Sequence, residues 1–473
     1  MLKSSLLLLL PAFESTLDST SISFCNVTLT YTHPGQNDNI KVWLGLPLAW
    51  NERFYGAGGG GWNTGFPSEM VYSLSKGYAT VATDGGHDAF RQPADEWGLL
   101  SPGNVNLYAL QNFASVTLND MTVLGKQLTE AYYGKPISKS YWAGCSTGGR
   151  QGLMMAQRYP NAYDGIIARA PASHWTELIF TIFWPQLVMQ KIGYFPPLCE
   201  LDAITAAATS ACDELDGIKD GIIGLPGLCT FDPETVVGQP YACGNITGTI
   251  SKEAAEIVNS TWKGATDAEG TLQWPGLTPG SPLYAVAGTT CDANGHNCTG
   301  SPFHVSTDWH RLFIHKDPSF DPYNYTQTEW DAAFHASGQQ YTSIIGTSDA
   351  DLSEFKNAGG KMITNHGTAD EAIPFKGIVN YYEEVLALDA NTTDFYRLFA
   401  EPGVGHCGGG LGAEANDILD VLVSWVEDGE APETVAAART VNGSIWEREL
   451  CMYPLSSIYK GGDPKVSSSY QCE

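Results

Sequence analysis

Residues 139–160 constrain the fold of this chain more than any other segment. An apolar, aromatic stretch ends in Gly144-Cys-Ser-Thr-Gly148, which fits the pattern G-x-S-x-G, and residues with helical spacing follow at once. A strand, a sharp turn that carries a serine, and a helix together form a nucleophile elbow. Glycines on both sides let the turn close and let the helix pass near the strand. The pattern predicts that Ser146 is a nucleophile, although a plain Gly/Ser turn is the alternative for so short a motif.

Strand and helix patterns alternate on both sides of the elbow. Strands are expected near residues 53–56, 77–82, 164–170, 361–364 and 394–399, and helices over 112–133, 378–387 and 416–427. This alternation is typical of a parallel α/β sheet. Before it, residues 21–48 alternate polar and apolar side chains around a Pro-Gly turn, which predicts a β-hairpin.

The middle of the chain lacks this alternation. From about residue 175 to 346 the sequence is rich in Gly and Pro turns, and five cysteines fall within residues 199–291. We interpret this segment as a lid domain inserted between strands of the core. The predicted organisation is a signal-like N-terminus (1–20), a first part of the catalytic core (21–185), the lid (186–345) and a second part of the core (346–473).

The chain is strongly acidic. With 52 acidic against 25 basic side chains its formal net charge is −27. Such a surface repels nucleic acid and anionic membranes, so neither is expected as a partner. The sequence gives no indication of the oligomeric state.

Several features point to secretion. Eleven cysteines are many for a reducing compartment. A lysine at position 3 and an apolar stretch from Leu6 to Phe13 resemble a short signal peptide. Seven N-x-[ST] sequons are typical of a glycoprotein; they lie at Asn26, Asn245, Asn259, Asn297, Asn324, Asn391 and Asn442.

A serine nucleophile needs a base, and the base needs a carboxylate that orients it. In an α/β-hydrolase the acid and then the histidine follow the serine, each after a later strand. Asp370 and His406 occupy such positions in that order. We therefore predict that Ser146, Asp370 and His406 form a catalytic triad.

Other residues compete for these roles. His366 precedes the acid on the same loop and is expected to shape that loop, while His87 comes before the serine. Asp394, Asp417 and Glu401 are rival acids, but none has the position of Asp370 in a loop after a predicted strand.

The oxyanion of an ester-cleaving enzyme needs hydrogen-bond donors. The backbone N–H of Thr147 lies at the start of the elbow helix, where the helix dipole favours negative charge. The glycine run Gly58 to Gly61 suits a loop that brings N–H groups close to a ligand, and an esterase commonly takes one donor from this loop. We assign Thr147, Gly59 and Gly60 as oxyanion donors; a flexible turn is the alternative for the glycines.

Two further features accompany this site. Cys145 precedes the serine and Cys407 follows the histidine, so a disulfide between them would fix the spacing of the two loops; two unrelated buried cysteines are the alternative. Residues 213–223 place three aspartates beside two glycines, which suits either Ca²⁺ or a solvated acidic turn.

Together, Gly144-Cys-Ser-Thr-Gly-Gly149, His366-Gly-Thr-Ala-Asp370 and Gly405-His-Cys407 resemble the tannase and feruloyl esterase family of secreted esterases. The likeness extends over nearly the whole chain after Ser21. It implies an α/β-hydrolase core with a large lid and the triad named above.

The resemblance also implies a metal site and a disulfide framework. Calcium would be a structural ion of the lid, bound by the carboxylates of Asp213, Asp216 and Asp220 and the carbonyls of Ile218 and Ile222. Family members carry a further N-terminal cysteine that is absent here, which would leave Cys25 unpaired. The other ten would pair as Cys145–Cys407, Cys212–Cys229, Cys291–Cys298, Cys451–Cys472 and Cys199–Cys243.

The predicted function is that of a secreted serine carboxylesterase that cleaves feruloyl or other hydroxycinnamoyl esters of plant cell-wall sugars. Aromatic side chains of the lid would form the acid pocket. The nearest alternatives are a tannase, which cleaves galloyl esters, and another aromatic-ester hydrolase of this family. A non-catalytic binding glycoprotein on the same scaffold is an alternative of a different class.

Overall fold

A central sheet of nine strands runs through the protein. The computed structural model describes residues 13–17 and 20–473, with side chains from residue 22 onward. The strands are β1 (Phe13–Leu17), β2 (Thr20–Tyr31), β3 (Ile40–Pro47), β4 (Arg53–Ala57), β5 (Ala79–Thr83), β6 (Lys139–Cys145), β7 (Gly165–Arg169), β8 (Lys361–Gly367) and β9 (Tyr396–Glu401). Most of the predicted signal-like segment lies outside the described residues.

The sheet is mixed, which corrects the prediction of a parallel sheet. Its order is β1-β2-β3-β5-β4-β6-β7-β8-β9. The pairs β1/β2, β2/β3 and β3/β5 are antiparallel, and every later pair is parallel. The N-terminal hairpin was predicted, but the sequence pattern did not show that it joins the edge of the same sheet.

Helices cover both faces of the sheet. On one face, Leu118, Leu153 and Tyr381 pack with buried strand residues, and on the other face Leu422 and Trp425 do so. The α-helices are Val71–Ser75, Leu107–Gln111, Thr117–Tyr133, Thr147–Arg158, Trp175–Thr181, Trp184–Ile192, Leu198–Cys212, Lys252–Lys263, His304–Asp308, Gln327–Tyr341, Ser353–Asn357, Phe375–Leu388 and Ile418–Glu427. This three-layer arrangement brings the carboxyl ends of the parallel strands to one edge.

The helix predicted over residues 112–133 is part of a longer irregular one. It begins at Leu107, passes through a π-helical turn, Asn112–Val116, and continues as Thr117–Tyr133. The buried Arg150 donates hydrogen bonds to the carbonyls of Phe113 and Ala114 inside that turn. A π-turn changes the regular helical hydrogen bonding, so these carbonyls can accept from the guanidinium.

The segment between β7 and β8 adds no strand to the central sheet. It contains seven α-helices, from Trp175–Thr181 to Ser353–Asn357, among the residues described, and two further π-turns, Trp309–Ile314 and Thr342–Gly346. Its aromatic core includes Trp309 and Trp330 and extends to Trp62 of the glycine loop. We call this segment, residues 170–360, the insertion.

Short antiparallel pairs complete the strand inventory. They are Leu99–Ser101 with Asn104–Val105, Pro240–Cys243 with Ile246–Thr249, Gly264–Thr266 with Leu272–Pro275, Thr289–Thr290 with Thr299–Gly300, and Ser457–Tyr459 with Tyr470–Cys472. A three-stranded sheet joins Glu414–Ala415, Thr434–Val441 and Ser444–Cys451. The last two strands were not predicted, although Asn442-Gly443 between alternating segments is a typical hairpin turn.

Five disulfides link ten of the eleven cysteines, with the pairing that the family resemblance implied. They are Cys145–Cys407, Cys199–Cys243, Cys212–Cys229, Cys291–Cys298 and Cys451–Cys472. Cys25 is free and partly buried. In the part of the chain that the structure describes, no helix combines the length and apolar character needed to span a bilayer.

Candidate active site

Ser146 lies on a sharp turn between β6 and the helix Thr147–Arg158. Its φ and ψ are 61° and −121°, a conformation that costs a non-glycine residue free energy and is typical of functional sites. A Cβ on Gly144 would lie 2.6 Å from the carbonyl carbon of Gly148, and one on Gly149 would lie 2.3 Å from the carbonyl oxygen of Arg169. The glycines of the motif are therefore required by close backbone approach.

Asp370 and His406 meet beyond the ends of β8 and β9. His406 Nδ1 lies 2.8 Å from Asp370 Oδ2. The other carboxylate oxygen, Oδ1, accepts the backbone N–H groups of Ala372 and Ile373 at 2.8 and 2.7 Å. These bonds hold the carboxylate in place. Because His406 contacts Asp370 through Nδ1, its other ring nitrogen, Nε2, can face a substrate.

The electrostatics of this pair suit a base and its orienting acid. Burial alone would raise the pKa of Asp370, but the charge of His406 and hydrogen bonds from His366 and His406 lower it well below its usual range. Burial would lower the pKa of His406, yet the charge and hydrogen bond of Asp370 and the charge of Glu371 raise it. Asp370 is therefore a carboxylate at neutral pH, and its charge favours the protonated form of His406.

Ser146, Thr147 and His406 line the same small cavity. Its volume is about 20 Å³, which leaves room for one water molecule or two. The remaining walls are apolar side chains and glycine; they are Gly61, Ala172, Trp175, Ile179, Ile182, Phe303, Val305, Ala372 and Ile373. The sequence predicted an aromatic pocket from the lid but named none of these residues, which come from segments far apart in the chain.

The glycine loop approaches this cavity in a different way from the one predicted. The N–H of Gly59 donates to Gln151 Oε1 at 3.0 Å, and the N–H of Gly60 donates to the carbonyl of Asn63 at 3.1 Å. The assignment of Gly59 and Gly60 as oxyanion donors therefore disagrees with the structure, because both groups already have partners. Gly61, with φ of +55°, is the glycine of this run that lines the cavity.

Two side chains of the elbow helix hold the glycine loop. Thr147 Oγ1 donates to the carbonyl of Gly61 at 2.7 Å. Gln151 accepts from Gly59 and donates through Nε2 to the carbonyl of Thr64 at 2.9 Å. The elbow helix that follows Ser146 therefore also holds the glycine loop beside it. Sequence reasoning missed Gln151, because a single glutamine carries no pattern.

The disulfide Cys145–Cys407 joins the serine turn to the histidine loop. The two Cα atoms are 5.8 Å apart, whereas the cysteines are 262 residues apart in sequence. Cys407 has φ of 63°, and Gly408, Gly409 and Gly410 also have positive φ values. A covalent link therefore anchors a loop whose backbone is otherwise rich in glycine.

The competing residues have other surroundings. His366 is fully buried and binds Asp370 Oδ2 at 3.0 Å, so it shapes the acid loop as predicted. His87 is buried, and its ring stacks on Trp97. Glu401 binds Asn365 and the N–H of Ala415. None of these three lines the cavity that holds Ser146.

Glu371 is a second residue that sequence reasoning missed. Its Oε2 accepts the backbone N–H of His406 at 2.9 Å, and its Oε1 accepts the hydroxyl of Tyr284 at 2.7 Å. Tyr284 belongs to the insertion, so Glu371 connects the insertion to the histidine loop. Its position directly after Asp370 is the only signal that the sequence offers.

Replacing Glu371 with glutamine should move the acid limb of the kcat/KM profile to lower pH. His406 accepts a proton only when it is neutral, so activity rises as the pH passes its pKa. The charge of Glu371 raises that pKa, and glutamine removes the charge while it keeps an acceptor for the N–H of His406. The pH profiles of wild type and Glu371→Gln, with the exposed Glu354→Gln as control, measure this. A limb that stays in place or moves to higher pH contradicts the prediction.

The acidic turn at 213–223 does not form a metal site made of side chains alone. Within the described residues, no group of three His, Cys, Asp or Glu side chains is arranged to hold a metal ion. Asp213 Oδ1 accepts the N–H groups of Asp220 and Gly221 at 2.9 and 3.0 Å. Asp220 Oδ2 pairs with Arg439 and Arg448, both at 3.0 Å.

Three observations nevertheless fit a small hard cation at this turn. A cavity of about 30 Å³ is lined by Asp216, Asp220, Ile222 and Glu449, and also by the arginines Arg439 and Arg448 that pair with Asp220. Asp220 Oδ1 is buried and has no hydrogen-bond partner among the described residues. Burial raises the pKa of Asp216 to about 6, although the N–H of Ile218 and the charge of Arg448 act in the opposite direction. Oxygen ligands of this kind suit Ca²⁺.

Known proteins resemble this chain over nearly its whole length. The family model described as tannase and feruloyl esterase matches residues 25–473. A probable feruloyl esterase from Arthroderma benhamiae is 40% identical over 96% of this chain and 86% of its own length. A probable feruloyl esterase B-2 from Aspergillus terreus is 32% identical over 97% and 88%.

Solved structures agree with these relatives. The tannin acyl hydrolase from Aspergillus niger superposes with a TM-score of 0.90 at 28% identity and covers 99% of this chain and 90% of its own. Feruloyl esterase B from Aspergillus oryzae gives a TM-score of 0.83 at 26% identity and covers 100% and 97%. The chain therefore belongs to the tannase and feruloyl esterase family and is a carboxylic ester hydrolase.

Proposed function

We propose that this protein is a secreted serine esterase that hydrolyses feruloyl and related hydroxycinnamoyl esters of plant cell-wall carbohydrates. The observation that carries the proposal is the shared cavity of Ser146 and His406, with Asp370 bound behind the imidazole. The proposed scaffold is an α/β-hydrolase core with the insertion as its lid, and the strand order and the elbow support it.

The reaction follows from the positions of these groups. His406 Nε2 takes the proton of Ser146 Oγ as the oxygen attacks the ester carbonyl, and Asp370 stabilises the imidazolium that forms. The N–H of Thr147, at the helix N-terminus, and that of Gly61 bind the oxyanion. The imidazolium then protonates the leaving alcohol, and an acyl-enzyme remains. Water, activated by His406, attacks the acyl-enzyme and releases the acid.

The walls of the cavity favour a cinnamoyl over a galloyl group. Trp175, Ile179, Ile182, Phe303 and Val305 offer apolar surface and no charged atom. A galloyl ring carries three hydroxyl groups, and each loses hydrogen bonds to water when it is buried without a partner, at a cost of about 1–3 kcal/mol. A feruloyl ring has one hydroxyl and one methoxy group, so it loses less.

The insertion must move for such a substrate to enter. Phe303, Val305 and Ile182 come from the insertion, and the cavity of about 20 Å³ is far smaller than an aromatic acid. Opening of the insertion, or new rotamers of these side chains, would admit the acyl group, and closure would exclude water from the oxyanion. This behaviour is that of a lid.

The test is the hydrolysis of a panel of methyl esters by the purified protein. Methyl ferulate and methyl caffeate should give kcat/KM values at least about tenfold above that of methyl gallate, since burial of an unpaired hydroxyl costs about 1.4 kcal/mol or more. Preference for methyl gallate would overturn the acyl assignment and leave the serine mechanism standing. Absence of hydrolysis for every ester would overturn the esterase proposal and favour a binding protein.

Calcium is proposed as a structural ion at the turn 213–223. Asp213, Asp216 and Asp220 with the carbonyls of Ile218 and Ile222 would hold it, and the ion would supply charge compensation at the base of the insertion. The arginines that pair with Asp220 come from the C-terminal hairpin formed by the strands Thr434–Val441 and Ser444–Cys451. Binding would therefore brace the insertion against that hairpin.

Removal of calcium with EDTA should lower the unfolding free energy by about 3 kcal/mol, the linkage expected for an ion present at a few hundred times its Kd. Thermal unfolding followed by circular dichroism, with and without added CaCl₂, measures this. Asp216→Asn should respond to neither treatment, and MgCl₂ should restore little stability to the wild type, because Mg²⁺ dehydrates reluctantly. An unchanged midpoint after EDTA would contradict the proposal.

Secretion is proposed on two grounds. The described residues contain five disulfides, and disulfides persist in oxidising compartments. Five of the seven sequon asparagines are exposed, as glycosylation requires; they are Asn245, Asn297, Asn324, Asn391 and Asn442.

A further inference from the structure

A large cavity lies behind the histidine loop. Its volume is about 760 Å³, and it separates the insertion from the core. One wall is the helix Leu198–Cys212. The opposite wall is formed by Thr368, Ala369, Glu371, Gly403, Gly405, Gly408, Gly409, Gly410 and Leu411. A cleft of this size between two parts of a protein is a typical place for a ligand.

This cavity lies next to the small cavity that holds Ser146, which we call the acyl cavity. The two cavities are lined by neighbouring residues of the same two loops but have no lining residue in common. Ala372, Ile373 and His406 line the acyl cavity, whereas the neighbouring Glu371 and Gly405 line the large one. The acid turn and the histidine loop therefore present one side to each cavity.

The chemistry of ester cleavage assigns different parts of the substrate to the two sides. His406 protonates the leaving alcohol, so the alcohol oxygen must lie within hydrogen-bond reach of the imidazole. The acyl group remains on Ser146, in the apolar cavity. The rest of the alcohol then extends along the histidine loop, where the large cavity begins.

The lining of the large cavity suits a neutral, polyhydroxylated ligand. Its hydroxyl groups come from Thr205, Thr209, Ser210, Tyr284 and Thr368, and it contains no lysine or arginine. The carboxylates open to a ligand are those of Asp202 and Glu371, since Asp213 belongs to the turn proposed to bind calcium. Carboxylates and hydroxyls accept hydrogen bonds from sugar hydroxyls, while the acidic lining repels anions. Tyr284, half exposed and anchored to Glu371 at 2.7 Å, offers an aromatic face to a sugar ring.

We propose that this cavity binds the carbohydrate portion of the ester, between Tyr284 and the face of the helix Leu198–Cys212 that carries Thr205 and Thr209. The inference rests on the proposed esterase function and adds the site of the leaving group. Because Glu371 contacts both Tyr284 and the backbone of His406, a bound sugar also contacts the residue that positions the base.

A pair of alanines on one helix provides the test. Ala206 and Ala211 are both exposed on the helix Leu198–Cys212, but only Ala206 lines the cavity. Ala206→Trp should fill part of the cavity, and Ala211→Trp should leave it open. Wild type and both variants would be assayed with methyl ferulate and with a feruloylated arabinoxylan trisaccharide.

Ala206→Trp should lower the ratio of kcat/KM for the trisaccharide to that for methyl ferulate about tenfold, and Ala211→Trp should leave the ratio as in the wild type. The trisaccharide without its feruloyl group should inhibit methyl ferulate hydrolysis by the wild type and inhibit Ala206→Trp about tenfold less strongly. Ser210→Trp, on the same wall, repeats the test if Ala206→Trp does not fold.

The outcomes separate the two hypotheses. If Ala206→Trp and Ala211→Trp hydrolyse methyl ferulate and have the same ratio of kcat/KM for the trisaccharide to that for methyl ferulate, the carbohydrate site is overturned. The esterase proposal is then left intact. Failure of the wild type to hydrolyse either ester overturns the proposed function itself. Tighter binding of a sulfated than of a neutral oligosaccharide would also overturn the assignment, because the lining carries no positive charge.

Discussion

Ser146→Ala should lower kcat for methyl ferulate by about 10⁴- to 10⁶-fold, the range found when the nucleophile of a serine hydrolase is removed. The loss is expected to be this large because the acyl-enzyme can no longer form. The residual rate would come from the oxyanion donors and from substrate binding alone. Initial rates from the ultraviolet absorbance of the released acid measure the change.

The fold should survive this substitution. Ser146 has φ of 61°, and alanine meets the same steric cost there as serine. Thermal unfolding of Ser146→Ala should match that of the wild type, which separates loss of chemistry from loss of structure. Ser75→Ala, at an exposed serine outside the cavity, is the matched control and should keep full activity.

The triad also makes a prediction about additivity. The double variant Ser146→Ala/His406→Ala should be about as slow as either single variant, because the two residues act as one unit. Diisopropyl fluorophosphate should label the wild type once, on the tryptic peptide that contains Ser146. Labelling of a different residue, or activity of Ser146→Ala above a few per cent of wild type, would show that another group is the nucleophile.

The grouping of Ser146, Asp370 and His406 could be predicted because each residue follows a strand. The elbow is recognisable from Gly144 to Gly148, and the order of serine, acid and histidine reduces the rivals to one acceptable pair. Asp370 and His406 meet at 2.8 Å because β8 and β9 are parallel neighbours whose carboxyl ends lie together. The elbow pattern and the rule that parallel strands end at the same edge of a sheet were enough to predict this grouping.

The glycine loop shows what the sequence could not predict. Which glycine N–H is free depends on Gln151, which is 92 residues away in sequence from Gly59. No local pattern records that contact. The lining of the cavity that holds Ser146 could not be predicted for the same reason. Trp175 and Phe303 are far apart in sequence and line one cavity only in the folded chain.

Other parts were missed although signals existed. The helix Gln327–Tyr341 begins with a capping box of Thr326 and Glu329, and Ser251 caps the helix Lys252–Lys263. The density of Gly, Pro and Cys in the insertion obscured these starts. The π-turn at Asn112–Val116 had no local signal; its carbonyls accept hydrogen bonds from Arg150, which is distant in sequence.

Removing the Cys145–Cys407 disulfide should produce the second large effect. The double variant Cys145→Ala/Cys407→Ala should lose about 3–5 kcal/mol of unfolding free energy, because the bond closes a loop of 262 residues and long loops gain most from closure. Its kcat should fall by about 10- to 100-fold even where the protein is folded. A displacement of about 1 Å between nucleophile and base costs that much.

A second disulfide separates stability from catalysis. Cys291–Cys298 spans 7 residues of the insertion and contains no active-site residue, so Cys291→Ala/Cys298→Ala should lose less stability and keep its kcat. Both double variants would be assayed well below their unfolding midpoints. If the two lose kcat equally, the Cys145–Cys407 bond acts only on stability. If only the first loses kcat, the bond holds the histidine loop at the distance from Ser146 that proton transfer requires, which the glycine-rich backbone after Cys407 would not maintain alone.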